Sequence, residues 1–162
     1  MKRTERETAI LLQKSFLFRN LTVEETVELL NTLDAPQTVR KGETVYEPAV
    51  FCHALVVVLQ GKLQVVSSSG NGKRTILNIL SAGDICGATA VFGEQENFVT
   101  EITAVQDSIL LYVRQQHLSD WFARYPIVAE NYIRFLTDRI CFLNKKIATY
   151  TGGQADDRLW RY

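Results

Sequence analysis

The stretch ALVVVLQGKLQVVSSSGNGKRTILNILSAGDICG, Ala54–Gly87, decides the fold. Short runs rich in Val, Ile and Leu (Ala54 to Gln60, Lys62 to Ser67, Arg74 to Leu80) alternate with turn residues. The turns are Gln60-Gly61, Ser69-Gly70-Asn71-Gly72 and Ala82-Gly83-Asp84. Runs of this length between Gly, Asn and Ser clusters read as strands, since no helix of useful length fits between the breakers. Asn71-Gly72 suits a hairpin whose central residues need positive φ. The same texture continues outward on both sides. Upstream come Thr38-Val39-Arg40, Lys41-Gly42 and Glu43 to Tyr46, and downstream Phe98 to Val105, Gln106-Asp107 and Ser108 to Val113. Regular short strands with such turns predict a sandwich, a jelly roll or a small barrel.

Helical signals flank this β-rich centre. Thr4 to Lys14 reads as a short helix, followed by the apolar knot Phe16-Leu17-Phe18. At Thr22-Val23-Glu24-Glu25 the threonine can cap the Glu25 amide while Glu25 reaches back, a capping box. Val23, Val27 and Leu30 share one face, and this helix is expected to run to about Leu33. From Gln115 a third helix carries Leu118, Trp121 and Phe122. Pro126 fits the first turn of a fourth, where its missing N–H costs nothing. That helix is expected to reach about Tyr150, with Gly152-Gly153 ending it.

The fourth helix carries a seam. With Ala129 at d, Ile133 falls at a, Leu136 at d, Ile140 at a, Leu143 at d, Ile147 at a and Tyr150 at d. Isoleucine at a with leucine at d favours a parallel two-stranded coiled coil. Phe135 and Phe142 form a second apolar line. A helix apolar on two faces can pack on its own domain and on a partner together; the plainer alternative is burial within one domain.

The bulk numbers agree with a soluble globular protein. The chain has 162 residues, 46% hydrophobic and 22% charged, with 18 basic and 18 acidic residues. That balance supplies no global pull toward nucleic acid or membrane. Neither a signal peptide nor a span of about 20 apolar residues is present, so a cytoplasmic location is expected. Three widely separated cysteines, Cys52, Cys86 and Cys141, read as free thiols. The tail from Asp156 to Tyr162 looks like the opening of a further helix whose Leu159, Trp160 and Tyr162 have nothing to bury them. This reads as a truncation before another domain.

Local motifs extend the reading. Lys41-Gly42-Glu43-Thr44-Val45, Leu59-Gln60-Gly61-Lys62-Leu63-Gln64-Val65, Gly83-Asp84-Ile85-Cys86-Gly87 and Phe142 to Ile147 occur in this order. In order and spacing they resemble the Crp/Fnr family of bacterial transcription regulators. The resemblance implies a mainly β fold with flanking helices. It would be an antiparallel double-stranded β-helix, a jelly-roll or cupin-like β-roll, plus a long C-terminal dimerisation helix. It further implies a homodimer and DNA binding through a C-terminal helix-turn-helix, which is missing from this chain. In such dimers the recognition helices enter major grooves about 34–36 Å apart. The expected division is residues 1–125 for the N-terminal helices and roll, 126–151 for the dimerisation helix, and 152–162 for a linker and the start of the DNA-binding domain.

The expected pocket departs from the cyclic-nucleotide pattern. Where that pattern has a ribose-binding Glu after Gly87, this chain has Ala88. Where it has the phosphate-binding Arg-Ser or Arg-Thr, this chain has Phe98 and Val99, and no Lys, Arg or His lies between Arg74 and Arg114. A buried phosphate needs a bidentate cation or a nest of N–H donors. Weak or no binding of cyclic AMP or cyclic GMP is therefore expected. A more apolar pocket is expected instead, from Cys86, Gly87, Ala88, Thr89, Ala90, Val91, Phe92, Phe98, Val99 and Thr100. Its effector would be an unidentified small apolar or aromatic molecule; the plainer alternative is that these residues simply fill the roll.

Other chemistry has weaker support. Cys52 and His53 are adjacent on a strand and point to opposite faces, so they do not readily share one ion. A chain with two histidines is poor in the ligands a cupin-type metalloenzyme uses. No catalytic group, metal, cofactor or membrane partner is expected. Cys86 reads either as a redox sensor or, more commonly, as a small buried hydrophobe. The alternatives to a sensor module are a cupin-like small metalloenzyme and a ligand-free dimerisation module.

Overall fold

Two threonines open the first helices of the computed structural model, which describes residues 4–46, 53–68, 72–93 and 100–159, with side chains through Thr149. Thr4 caps α1 (Glu5–Leu12) and Thr22 caps α2 (Val23–Leu30), each in a reciprocal box with the glutamate three residues on. In the second box the Glu25 amide donates to Thr22 Oγ1 at 3.1 Å and the Thr22 amide to the Glu25 carboxylate at 2.8 Å. Helix α2 stops at Leu30 instead of Leu33, because Thr32 and Leu33 turn back onto Leu29 and Leu30 in tight three-residue turns.

The β-rich centre forms eight strands. They are β1 (Gln37–Val39), β2 (Thr44–Tyr46), β3 (Ala54–Gln60), β4 (Lys62–Ser68), β5 (Arg74–Ser81), β6 (Ile85–Cys86), β7 (Thr100–Ala104) and β8 (Ser108–Arg114). They make two four-stranded antiparallel sheets, ordered β1-β8-β3-β6 and β2-β7-β4-β5. The alternation of sheets along the chain gives a β-roll. Strand β6 is too short to stand out in the sequence and pairs Cys86 with Val56 and Ile85 with Val57. The expected strand beginning at Phe98 is described from Thr100 onward; Phe98, Val99 and the Ser69–Asn71 part of the hairpin turn lie outside the described residues, while Gly72 has φ +79°.

Two apolar clusters hold these layers. Inside the roll, Val39, Val56, Val58, Leu63, Leu80, Ile102, Ala104 and Leu110 pack between the sheets. On the outer face of the β3–β8 sheet, Leu55, Val57, Leu111 and Val113 meet Leu12, Leu17, Phe18, Leu29, Trp121, Val128 and Tyr132 from the helices. The period-2 alternation of β3 explains the split, since successive residues point to opposite faces. The knot Phe16-Leu17-Phe18 does enter the core, with Leu17 and Phe18 fully buried.

Helix α3 (Gln115–Arg124) buries Leu118 and Trp121, and the Trp121 indole N–H donates to Thr32 Oγ1 at 3.0 Å. Helix α4 spans Pro126–Leu159. It does not end at Gly152-Gly153, as the glycine pair suggested. Gly costs about 1 kcal/mol against Ala inside a helix but keeps its backbone N–H, so the ladder can run through it. The expected boundary at residue 151 therefore falls within a continuous helix.

Candidate functional site

The turn after β6 is built on Gly87. Its φ is +88°, and a Cβ there would lie 2.8 Å from the Ala54 carbonyl oxygen. Only a glycine allows both the left-handed backbone and that approach. The following residues coil tightly, with the Ala90 and Val91 amides donating to the Gly87 carbonyl at 2.9 and 3.2 Å. This coil aims Ala88 and Val91 away from the roll interior, into the cluster shared by the sheet and the helices.

The expected pocket residues are thus divided. Cys86 packs against the roll cluster, and its Sγ donates to the Val56 carbonyl at 3.7 Å. Burial, with a smaller contribution from the Asp84 carboxylate, pushes this thiol up to about 12. Ala88, Ala90 and Val91 are buried, Thr89 is exposed, and Thr100 opens β7 opposite Ser67. Phe98 and Val99 are not among the described residues.

Sequence reasoning missed the group that ties this turn to the long helix. The Tyr132 hydroxyl donates to the Ala88 carbonyl oxygen. The Tyr132 ring meets Phe92 edge-on at 5.8 Å and Phe122 at 5.5 Å. Burial raises the Tyr132 phenol to about 12. Beside it, the buried Asn131 amide donates to the Leu17 and Arg19 carbonyls at 3.3 and 2.6 Å. Asn131 and Tyr132 fall on the same helix face as the apolar Val128 and Phe135, and this was the available signal, because polar groups on a buried face require partners.

The seam residues divide along α4. Ala129 and Leu136 are half-buried, whereas Ile133, Ile140, Leu143 and Ile147 are 64%, 58%, 55% and 59% exposed. The helix packs on its own domain through Val128, Asn131, Tyr132 and Phe135, whose ring stacks on Phe16 at 3.9 Å. The second apolar line therefore holds at Phe135, while Phe142 is exposed beneath the Lys146 ammonium. The Tyr150 side chain lies outside those described.

A cleft of about 290 Å³ opens at one end of the roll, lined by Asp34, Ala35, Gln37, Val45, Ala54, Tyr112 and Arg114. A smaller one, about 160 Å³, lies between α2 and α3. Among the described residues no group of three or more His, Cys, Asp or Glu is placed to hold a metal ion, and no helix is long and apolar enough to cross a membrane.

Residues 36–125 match the family model described as the cyclic nucleotide-binding domain. A CRP-like cAMP-activated global transcriptional regulator of Mycobacterium tuberculosis is 23% identical over 140 residues, covering 85% of this chain and 61% of that protein. The neuropathy target esterase sws of Drosophila grimshawi is 31% identical over 98 residues, which is 60% of this chain but 7% of the esterase. In three dimensions the catabolite activator protein of Thermus thermophilus superposes with a TM-score of 0.78 at 22% identity, over 84% of this chain and 63% of that one. The chain thus spans less than two thirds of the length of these relatives.

Proposed function

The chain belongs to the cyclic nucleotide-binding domain family, and from that premise we propose that it is the effector-sensing and dimerising domain of a Crp/Fnr-type transcription regulator. The observation that carries this reading is the link between the Gly87 turn and the long helix. Tyr132 is hydrogen-bonded to Ala88 and packed against Phe92 and Phe122. An effector that shifts the turn pulls on α4 through this hydroxyl and these rings. A ligand biases such an equilibrium only by binding one position of the turn better than the other. The helix, which runs through residue 151 to Leu159, would then re-aim a DNA-binding unit in the whole regulator.

The second copy supplies the cover for α4. Beyond Phe135 the helix turns Ile140, Leu143 and Ile147 to solvent, and a helix of this kind gains most of its stability from tertiary packing. The isoleucine–leucine alternation suits a parallel pair.

The pocket in this reading has diverged from cyclic nucleotides and takes an apolar or aromatic effector. Ala88 supplies no carboxylate for a ribose, its methyl lying in the layer between sheet and helices, and the residues from Thr75 to Val113 include no cation for a phosphate. Titration calorimetry of the domain with cyclic AMP and then cyclic GMP tests it. The expected result is no saturable binding tighter than about 100 μM, equivalent to about 5.5 kcal/mol. Tighter binding overturns the divergence and means that backbone amides suffice for the phosphate.

A further inference from the structure

The roll-end cleft lies apart from the Gly87 turn: no residue from Gly87 to Phe92 lines its 290 Å³. Its walls come from both sheets. Val45 belongs to β2, while Ala54 and Tyr112 stand on β3 and β8, and Arg114 ends β8 opposite Ala54. Val45, Ala54 and the Tyr112 ring give a mixed polar and apolar lining its apolar part, with Ala54 buried. At the rim Asp34 and Arg114 face each other with 3.7 Å between Oδ2 and Nη2, a loose pair whose side chains are 74% and 68% exposed. Ala35 and Gln37 complete the lining.

A carboxylate and a guanidinium beside a small apolar surface define a ligand chemistry. An exposed pair of this kind contributes between about 0 and 1 kcal/mol, so opening it costs little. A ligand with one charge would satisfy one partner and leave the other without its counter-ion. A zwitterion satisfies both: its ammonium meets the Asp34 carboxylate, and its carboxylate takes the Arg114 fork in two parallel N–H···O bonds. The cleft volume sits at the small end of the range for ligand sites, about 300–1,000 Å³. We propose that this cleft binds a free α-amino acid with an apolar side chain, which lies against Val45, Ala54 and Tyr112.

The probes are L-leucine and L-phenylalanine, titrated calorimetrically into the whole chain and followed by amide NMR shifts. Leucinamide lacks the carboxylate and 4-methylpentanoate lacks the ammonium, so they serve as single-charge controls. Asp34→Asn and Arg114→Gln alter exposed side chains and leave the fold intact. The expected result is saturable binding of at least one amino acid with Kd below about 1 mM. Shifts are expected at Ala54, Tyr112 and Arg114, with affinity at least tenfold weaker in either variant and for either control. Absence of saturable binding up to about 10 mM of both amino acids overturns the proposal. So does binding that both variants leave unchanged, which would place the amino acid elsewhere. Neither outcome bears on the nucleotide titration, which probes the other site.

Discussion

Cys86 stands where the roll cluster meets the Gly87 turn, and its burial decides its chemistry. A thiol held near 12 stays protonated at neutral pH and is a poor nucleophile. That favours the small buried hydrophobe over the redox sensor. Tyr132 shares the same tendency, raised from 10.0 to about 12 by burial. In both groups the folded state keeps a proton that the unfolded chain releases earlier. The stability they contribute is complete below about pH 9 and is lost as pH rises from there toward 12. Urea midpoints measured from pH 8 to 11 should fall steadily above pH 9, and a flat profile would contradict the assignment. In a Cys52→Ser background at pH 8, a thiol reagent should label the exposed Cys141 quickly and the half-buried Cys86 far more slowly.

Individual elements show how local rules and packing divide the work. The capping box at Thr22 was visible in four residues because its donors and acceptors are all local. Strand β6 was not, because two residues carry no periodicity and exist as a strand only through pairing with Val56 and Val57. Helix α4 behaves as two elements in one. Its first turns bury Val128 and Tyr132, while Ile140 and Leu143 stand exposed. Replacing both with glutamate should leave the fold intact, since neither side chain packs in the core. It should convert a dimer at tens of micromolar into a monomer by light scattering. A wild-type chain that is already monomeric at that concentration would remove the seam reading.

At the scale of the whole molecule, the roll and the helices are joined by one apolar layer. Trp121 is central to it: it is 2% exposed, its ring centroid lies 5.8 Å from that of Phe18, and its indole reaches Thr32. Trp121→Ala should cost about 3–5 kcal/mol, the usual range for emptying an aromatic site in a core. Because the layer contains residues of both parts, far-UV and near-UV signals should shift together in urea. Separate transitions for helix and roll would show that the layer does not couple them.

Patterns with a short period were open to reading from residues alone. The alternation of strand and turn in the described residues between Thr38 and Val113 and the α2 cap belong to this class, since each depends on neighbours within a few positions; the a/d pattern of α4 is equally local, and its pairing with a second copy is a proposal. The end of α4 was misjudged because a glycine pair permits a helix stop without forcing one. The allotment of Ala88 and Val91 to the helical layer, the Tyr132–Ala88 bond across 44 residues, and the meeting of Asp34 with Arg114 were decided only by the tertiary structure. Those contacts join segments far apart in the chain. Which of them form depends on how the sheets close and how the helices seat on them, and no local periodicity encodes that choice.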